Sequence, residues 1–196
     1  MYVKNPSWVL VFLSGTVRPD EGSIDLCGQD VGRLQARHRA RLGLARSFQT
    51  PQVFETLTLR QHMTLQSPDC GWGGEISRQF GFDAVLDRAL GAMSHGMRRL
   101  AEICHLAAAR PRVLLLDEPA AGLTHFEMNQ LAQVLRWLRQ HAAIGVVEHN
   151  MTFLLPLVDD VVVLDAGRVI AHDSPAAITE NKEVRRAYLG ADFKPN

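Results

Sequence analysis

Short apolar runs alternate with amphipathic segments through the second half of the chain. The apolar runs occupy positions 113–116, 144–147 and 161–164, and each ends at polar residues. Residues 98–109, before the first run, and 124–141, between the first and second, carry apolar side chains at helical spacing. Because strands that alternate with long helices form βαβ units, this pattern predicts a parallel sheet with helices on both faces.

The pattern before residue 51 is less regular. Residues 9–13 are apolar and are followed by Gly15, which predicts the end of a buried helix. Residues 22–28 alternate polar and apolar side chains between glycines, which predicts a short strand with a turn at each end. Residues 33–41 are basic and predict a helix with a solvated arginine face.

The section from 51 to 92 contains no clear strand pattern and predicts a mostly helical insertion. Residues 68–74 are rich in glycine and predict a loop, whereas residues 82–90 predict another short helix. We expect a helical subdomain at about 51–110 within a single domain spanning residues 1–196.

Charge and cysteine content exclude several classes of protein. The chain has 196 residues, and its 21 Lys and Arg balance 21 Asp and Glu, so bulk positive charge cannot attract nucleic acid. The three cysteines lack metal-type spacing and are odd in number, which favours a reducing compartment. A membrane-spanning helix needs about 20 apolar residues, and the most apolar run, 8–13, is far shorter.

Polar side chains follow two of the predicted strands. Asp117 and Glu118 come directly after the run 113–116, and His149 follows the run 144–147. Ligands bind at the carboxyl ends of strands in open α/β sheets. An aspartate there can hold Mg²⁺ on a nucleotide, and an adjacent glutamate can deprotonate an attacking water. The alternative is a strand that ends in solvated acids before a proline turn.

Four segments resemble the motifs of ABC ATPases, in that family's order. Residues 47–49 (SFQ) resemble the Q-loop, and residues 94–99 (SHGMRR) resemble a degenerate signature motif. Residues 113–123 (VLLLDEPAAGL) resemble the Walker B motif and D-loop, and residues 147–151 (VEHNM) resemble the switch-histidine segment. The resemblance covers essentially the whole chain. It implies a P-loop NTPase-like α/β fold, a parallel sheet with helices on both faces and a helical insertion.

The resemblance assigns chemical roles to four residues. Asp117 would complete the shell of a Mg²⁺ ion on ATP, and Glu118 would be the general base for attack of water on the γ-phosphate. Gln49 would sense metal and water, and its loop would relay the nucleotide state to a membrane partner. His149 would contact the γ-phosphate as a polarising group.

Five further residues are assigned to nucleotide binding across a dimer. Ser94, Gly96 and Met97 lie at a predicted helix N-terminus, where free backbone N–H groups favour phosphate oxygens. Ala121 and Gly122 belong to the D-loop segment. In the family, these groups close on the ATP of the opposite subunit, so the resemblance implies a dimer with two sites. Ser94 is also predicted to be an ordinary N-cap, and both roles can hold at once.

The amino acids of some motifs resemble those of one branch of the family, the branched-chain amino acid importers. This resemblance lies in the D-loop, the switch segment and residues 187–190 (AYLG). The implied partners are transmembrane permease subunits, a second ATPase subunit and, indirectly, a substrate-binding protein. The implied location is the cytoplasmic face of the inner membrane. The tail 184–193 also resembles the ATPase of lipopolysaccharide export.

One motif of the family does not occur in the sequence. Nowhere in the 196 residues is there a Gly-x-x-x-x-Gly-Lys-Ser/Thr loop, which cradles the phosphates of a bound nucleotide. Its last three positions would fall on Asn5, Pro6 and Ser7. We therefore expect an N-terminally truncated cassette whose first strands are missing. The alternative is a non-catalytic or decayed module that does not bind ATP.

Overall fold

The computed structural model describes residues 7–66 and 70–186, and for Cys70 and Gly71 it describes the backbone alone. Within these described residues, three single turns of 3-10 helix supplement the regular elements. In chain order the elements are α1 (Ser7–Leu13), β1 (Asp25–Leu26), β2 (Gln29–Asp30), α2 (Ala36–Arg41), β3 (Leu44–Arg46), α3 (Leu59–Gln66), α4 (Cys70–Phe80), the 3-10 turns Asp83–Val85 and Leu90–Ala92, α5 (His95–Ala108), β4 (Val113–Asp117), α6 (His125–Leu138), β5 (Ala143–Val147), α7 (Met151–Leu154), the 3-10 turn Leu155–Leu157, β6 (Val161–Asp165), β7 (Arg168–Asp173), α8 (Pro175–Glu180) and α9 (Lys182–Val184).

The central sheet is parallel, as the alternation of apolar runs predicts. Its order is β3-β4-β5, and its register pairs Arg46 with Leu115 and Asp117 with Val147. The remaining strands form two antiparallel hairpins, β1-β2 and β6-β7. The carboxyl ends of β4 and β5 therefore lie side by side.

Helices cover both faces of this sheet. Leu114 and Leu116 of β4 lie in the main apolar core with buried residues of α3, α4, α5 and α6. Leu115 points to the opposite face, where it lines a cavity together with Leu10 of α1. This alternation of successive side chains is that of a strand buried on both faces.

Two expectations for the helical section are wrong. Cys70–Phe80 is a helix where residues 68–74 were expected to form a loop, and positions 67–69 lie outside the described residues. Packing overrides the glycines, because the Trp72 indole donates to the Ala107 carbonyl oxygen (3.0 Å) and stacks on Trp137. The helix expected at 82–90 is reduced to the 3-10 turn Asp83–Val85. The subdomain boundary at about 51–110 stays a prediction.

The basic segment does not present a wholly solvated arginine face. Arg39 is fully buried, and its guanidinium donates to the carbonyl oxygens of Phe12 (2.8 Å), Leu13 (2.8 Å) and Leu34 (3.0 Å). Burial lowers the pKa of this guanidinium. Arg39 thereby satisfies the Leu13 carbonyl oxygen at the end of α1 and gives the Phe12 carbonyl oxygen a donor besides the Gly15 N–H.

Candidate functional site

Asp117 ends β4 as a buried carboxylate with one oxygen left unpaired. Its backbone N–H donates to the Ser47 Oγ (3.0 Å), and the residue is 3 % exposed. Its Oδ2 accepts a hydrogen bond from the Arg46 guanidinium at 3.3 Å. Its Oδ1 is buried and has no hydrogen-bond partner among the described residues. An orphaned carboxylate oxygen at a strand end is a fit for a hard cation.

Glu118 and His149 lie beside Asp117, as predicted from the two strand ends. The Glu118 backbone has a φ of 45°, and its N–H donates to the Val147 carbonyl oxygen at 2.8 Å. Its Oε1 lies 3.8 Å from the Nδ1 of His149, whose side chain is 71 % exposed. Both groups can therefore reach a ligand that lies over the carboxyl ends of β4 and β5.

Glu148 is a site residue that sequence reasoning missed. It is 8 % exposed, and one of its oxygens accepts the backbone N–H groups of His149 (2.9 Å) and Asn150 (3.1 Å). Its other oxygen accepts the N–H of Ala120 at 3.2 Å. A single carboxylate thus holds the loop after β4 against the loop after β5. The sequence signal that could have identified Glu148 is its position, as an acidic residue directly after the apolar run 144–147.

The segment that contains Gln49 is anchored by α5. Arg99 donates to the Phe48 carbonyl oxygen (2.6 Å) and to the Gln49 carbonyl oxygen, and it pairs with Glu102 at 2.9 Å. Glu102 in turn accepts the N–H of Gln52 at 3.1 Å. Burial raises the pKa of Glu102. The Gln49 residue itself is exposed, so its backbone is fixed while its side chain faces solvent.

The signature-like segment begins α5. Ser94 is its N-cap, and the Ser94 Oγ accepts the N–H of Met97 at 3.1 Å. A Cβ on Gly96 would meet the Glu127 carboxylate, so any larger residue here requires that side chain to move. The N-cap prediction for Ser94 is confirmed. In this conformation the carboxylate of Glu127 faces the α5 N-terminus, where the resemblance places a phosphate.

Ala121 and Gly122 lie next to this segment, in the loop before α6. Gly122 has a φ of 73°, and a Cβ there would lie 3.4 Å from the His95 ring. The Ala121 N–H donates to the Glu118 carbonyl oxygen at 3.1 Å. The five nucleotide-binding candidates therefore form one cluster at the start of α5, and Ala121 connects it to the acidic pair.

The capping box of α6 fixes Glu127 in this position. The Thr124 Oγ1 accepts the Glu127 N–H (3.3 Å), while the Glu127 carboxylate accepts the Thr124 N–H (2.9 Å). The Thr124 hydroxyl also donates to this carboxylate (2.9 Å). The hydrogen bonds that the carboxylate accepts, first that from the Thr124 backbone N–H, lower the pKa of Glu127.

We expect Thr124→Ala to lower the free energy of unfolding by about 1 kcal/mol at pH 7, because an N3 donor loses its partner. Thr124→Ser, which keeps the hydroxyl, serves as control. A carboxylate with a depressed pKa stabilises the fold above its unfolded value and loses that contribution as the pH falls through its folded value. Both variants keep the backbone N–H at position 124, and only serine keeps a hydroxyl that can donate to the Glu127 carboxylate. The difference in stability between the two variants should therefore shrink well below pH 4.5, the ordinary pKa of Glu127. Urea denaturation at pH 7 and pH 3 measures both effects, and equal stability of the two variants at pH 7 would contradict the cap.

Two features are absent from the described residues, a membrane-spanning helix and a ready-made metal cluster. Across 7–66 and 70–186, no helix has the length and apolar character needed to cross a membrane. In the same residues, no group of three or more His, Cys, Asp and Glu side chains is arranged to hold a metal ion. Asp117 therefore offers one oxygen ligand, and a metal ion bound there would take its remaining ligands from another bound molecule.

Comparison with protein families identifies the chain. A family model described as ABC transporter matches residues 7–121, more than half of the chain. The chain belongs to the ABC transporter family, as an ATP-binding subunit. A second model, described as branched-chain amino acid ATP-binding cassette transporter, matches residues 168–194.

Individual relatives are about 30 % identical to this ABC subunit over the aligned positions. It is 29 % identical to the lipopolysaccharide export system ATP-binding protein LptB of Haemophilus influenzae, covering 92 % of this chain and 79 % of LptB. It is 29 % identical to the high-affinity branched-chain amino acid transport ATP-binding protein BraF of Pseudomonas aeruginosa (91 % and 80 %). It is 31 % identical to a probable ABC transporter ATP-binding protein of Azorhizobium caulinodans (95 % and 69 %).

Solved structures confirm the fold of the ABC subunit. The ADP conformation of MJ1267, an ATP-binding cassette of an ABC transporter, superposes with a TM-score of 0.81 at 21 % identity, covering 94 % of this chain and 83 % of that one. The CbiO1 protein of Clostridium perfringens, part of the CbiONQ transporter complex, gives 0.80 at 22 % identity, with 92 % and 77 % coverage. The expected P-loop NTPase-like α/β cassette is confirmed.

Proposed function

We propose that this subunit couples hydrolysis of Mg²⁺-ATP to the import of branched-chain or related amino acids. The observation that carries the proposal is the match of residues 168–194 to the branched-chain amino acid family model. The resemblance of the D-loop and switch segments to the same branch supports it. LptB and BraF are equally similar to the chain, so lipopolysaccharide export is the second candidate substrate class.

Each site residue would contribute one step of this function. The free Asp117 Oδ1 would ligate the Mg²⁺ that neutralises phosphate charge on ATP. The Glu118 carboxylate would accept a proton from the attacking water, and His149 and Gln49 would orient groups around it. Arg46 already balances the other Asp117 oxygen, which favours a single metal contact by that carboxylate.

The proposal also includes a dimer and a membrane assembly. Ser94, Gly96, Met97, Ala121 and Gly122 would face the nucleotide of a second ATPase subunit, which requires the Glu127 carboxylate to move off Gly96. The dimer would bind transmembrane permease subunits at the cytoplasmic face of the inner membrane. A substrate-binding protein would act on it only indirectly, through those permeases.

A non-catalytic module is the second candidate function. Its support is that Asn5, Pro6 and Ser7 stand at the last three positions of the family's phosphate-binding loop, where Pro6 replaces the lysine. Binding of a fluorescent ATP analogue by the purified chain, with and without Mg²⁺, separates the two candidates. Magnesium-dependent binding would exclude the non-catalytic module.

We expect Glu118→Gln, introduced in the source organism, to lower leucine uptake about a hundredfold or to background, because a general base contributes at least that much. The exposed residue Glu180 provides the control variant Glu180→Gln, which should leave uptake unchanged. Uptake of labelled leucine and the amount of surface lipopolysaccharide are measured in the same cells. Normal uptake with reduced lipopolysaccharide would instead support export.

A further inference from the structure

A cavity of about 350 Å³ lies at the amino end of β4, beside the carboxyl ends of α5 and α6. This volume is at the small end of the range of about 300–1,000 Å³ that is typical of small-molecule pockets. The floor of the cavity is buried and apolar, and it consists of Ala107, Pro111, Leu114 and Leu138. Asp117 ends the same strand roughly 10 Å beyond Leu114, so the cavity is separate from the acidic pair.

Trp72 and His141 form an aromatic wall of this cavity. The Trp72 indole N–H donates to the Ala107 carbonyl oxygen at 3.0 Å, and its ring stacks on Trp137 with centroids 5.2 Å apart. The His141 ring contacts both indoles, with its centroid 5.0 Å from that of Trp72 and 4.7 Å from that of Trp137. Because these contacts hold the rings in place, a flat ligand can stack on the wall with little further loss of side-chain entropy.

Arg110 brings a positive charge to the mouth of the cavity. It is an exposed member of the lining, and its Cζ lies 5.0 Å from the centroid of the Trp72 ring. A guanidinium that lies over an indole presents its N–H donors in its own plane, where they match the two oxygens of a carboxylate. In the part of the chain that the structure describes, no aspartate or glutamate lines the cavity. The charge at the mouth therefore favours an anion.

The backbone of Arg110 is strained where α5 ends. Its φ is 50°, and its N–H donates to the Ala107 carbonyl oxygen at 3.0 Å. Glycine is the usual residue in this left-handed conformation after a helix, and the following Pro111 restricts the position further. A side chain retained at a strained position is a feature of binding sites. It agrees with a role for the guanidinium beyond the packing of the helix end.

We propose that this cavity binds a small aromatic carboxylate of one or two rings. The ring of the ligand stacks on the wall of Trp72 and His141 and covers the apolar floor. Its carboxylate accepts hydrogen bonds from the Arg110 guanidinium at the mouth. The bound molecule thereby contacts α4, α5, β4 and the end of α6, and it strengthens their packing.

The test uses the full 196-residue chain and the probe p-(trifluoromethyl)benzoate, followed by fluorine NMR. We expect saturable binding of one probe per chain. The neutral analogue p-(trifluoromethyl)benzamide has nearly the same shape and should bind at least tenfold more weakly, because it lacks the charge that Arg110 recognises.

The three tryptophans of the chain locate the probe. In protein made with isotope-labelled tryptophan, the indole N–H signals of Trp72 and Trp137 should shift as the probe saturates. The signal of Trp8 should stay unchanged, because Trp8 belongs to α1 on the other face of the sheet.

Substitutions separate the charge of the site from its volume. Arg110→Gly removes the guanidinium and suits the φ of 50°, so the variant should fold at least as stably and bind the probe about tenfold more weakly. Ala142→Leu narrows the cavity without changing charge and should also weaken binding about tenfold. Arg168→Gln removes an exposed arginine of β7, outside the lining, and should leave binding unchanged.

Three results with the unaltered chain would overturn the proposal: no saturable binding, equal binding of benzoate and benzamide, or a shift of the Trp8 signal in place of those of Trp72 and Trp137. These hold even where a variant does not fold. Unchanged binding by folded Arg110→Gly, or an equal loss with Arg168→Gln, would also overturn it. None of these readouts uses ATP or transport, so the proposed function stands or falls separately.

Discussion

Arg99→Met is expected to lower the free energy of unfolding by about 3–5 kcal/mol at pH 7, because it leaves a buried charge without its partner. The side chains of Arg99 and Glu102 are 1 % and 3 % exposed. Methionine keeps the length of the side chain but donates no hydrogen bond, so the Phe48 and Gln49 carbonyl groups also lose their donor. Urea denaturation followed by circular dichroism measures the change.

The cost of Arg99→Met should depend on pH in a defined direction. Burial raises the pKa of Glu102, whereas the nearby Arg99 guanidinium lowers it, so removing Arg99 raises it further. A carboxyl group with a raised pKa stabilises the fold fully below its unfolded value, near 4.5, and loses that contribution as the pH rises through its folded value. The variant should therefore be closer to the unaltered protein at pH 5 than at pH 7.

Two further variants test the pair rather than the position. Arg98→Met changes the neighbouring, half-buried arginine and should cost less than about 1 kcal/mol. Arg99→Met combined with Glu102→Leu removes both charges and should recover more than half of the loss, because an apolar pair needs no compensation. A cost below about 1 kcal/mol for Arg99→Met alone, or one that does not change with pH, would show that the pair does not anchor the Gln49 segment.

The acidic pair and His149 could be located from the sequence for a simple reason. Carboxyl ends of neighbouring parallel strands meet at one edge of a sheet, so residues that follow two apolar runs are neighbours once the sheet forms. The structure brings Glu118 to 3.8 Å from His149 in this way. The local sequence pattern was sufficient to place Glu118 near His149 because the sheet itself sets the distance between the two strand ends.

Other parts of the site depend on contacts that no local pattern encodes. Arg99 meets a carbonyl group 51 positions away, and a run of arginines gives no sign that Arg39 and Arg99 are the buried ones. The glycines of α4 predicted a loop because local propensity ignores the Trp72 packing that holds the helix.

Glu148→Ala is expected to lower the free energy of unfolding by about 3 kcal/mol, because the backbone N–H groups of Ala120, His149 and Asn150 lose one shared acceptor. The loops after β4 and β5 are then no longer held together, so amide exchange should accelerate at Ala120 and Asn150 before the strands open. Glu148→Gln is the matched control. Its carbonyl oxygen can still accept the His149 and Asn150 groups, while its amide nitrogen faces the Ala120 N–H, so we expect an intermediate loss. If alanine and glutamine variants were equally stable, the hydrogen bonds of this carboxylate would not hold the site together, and the positions of Glu118 and His149 would have to be set by the strands alone.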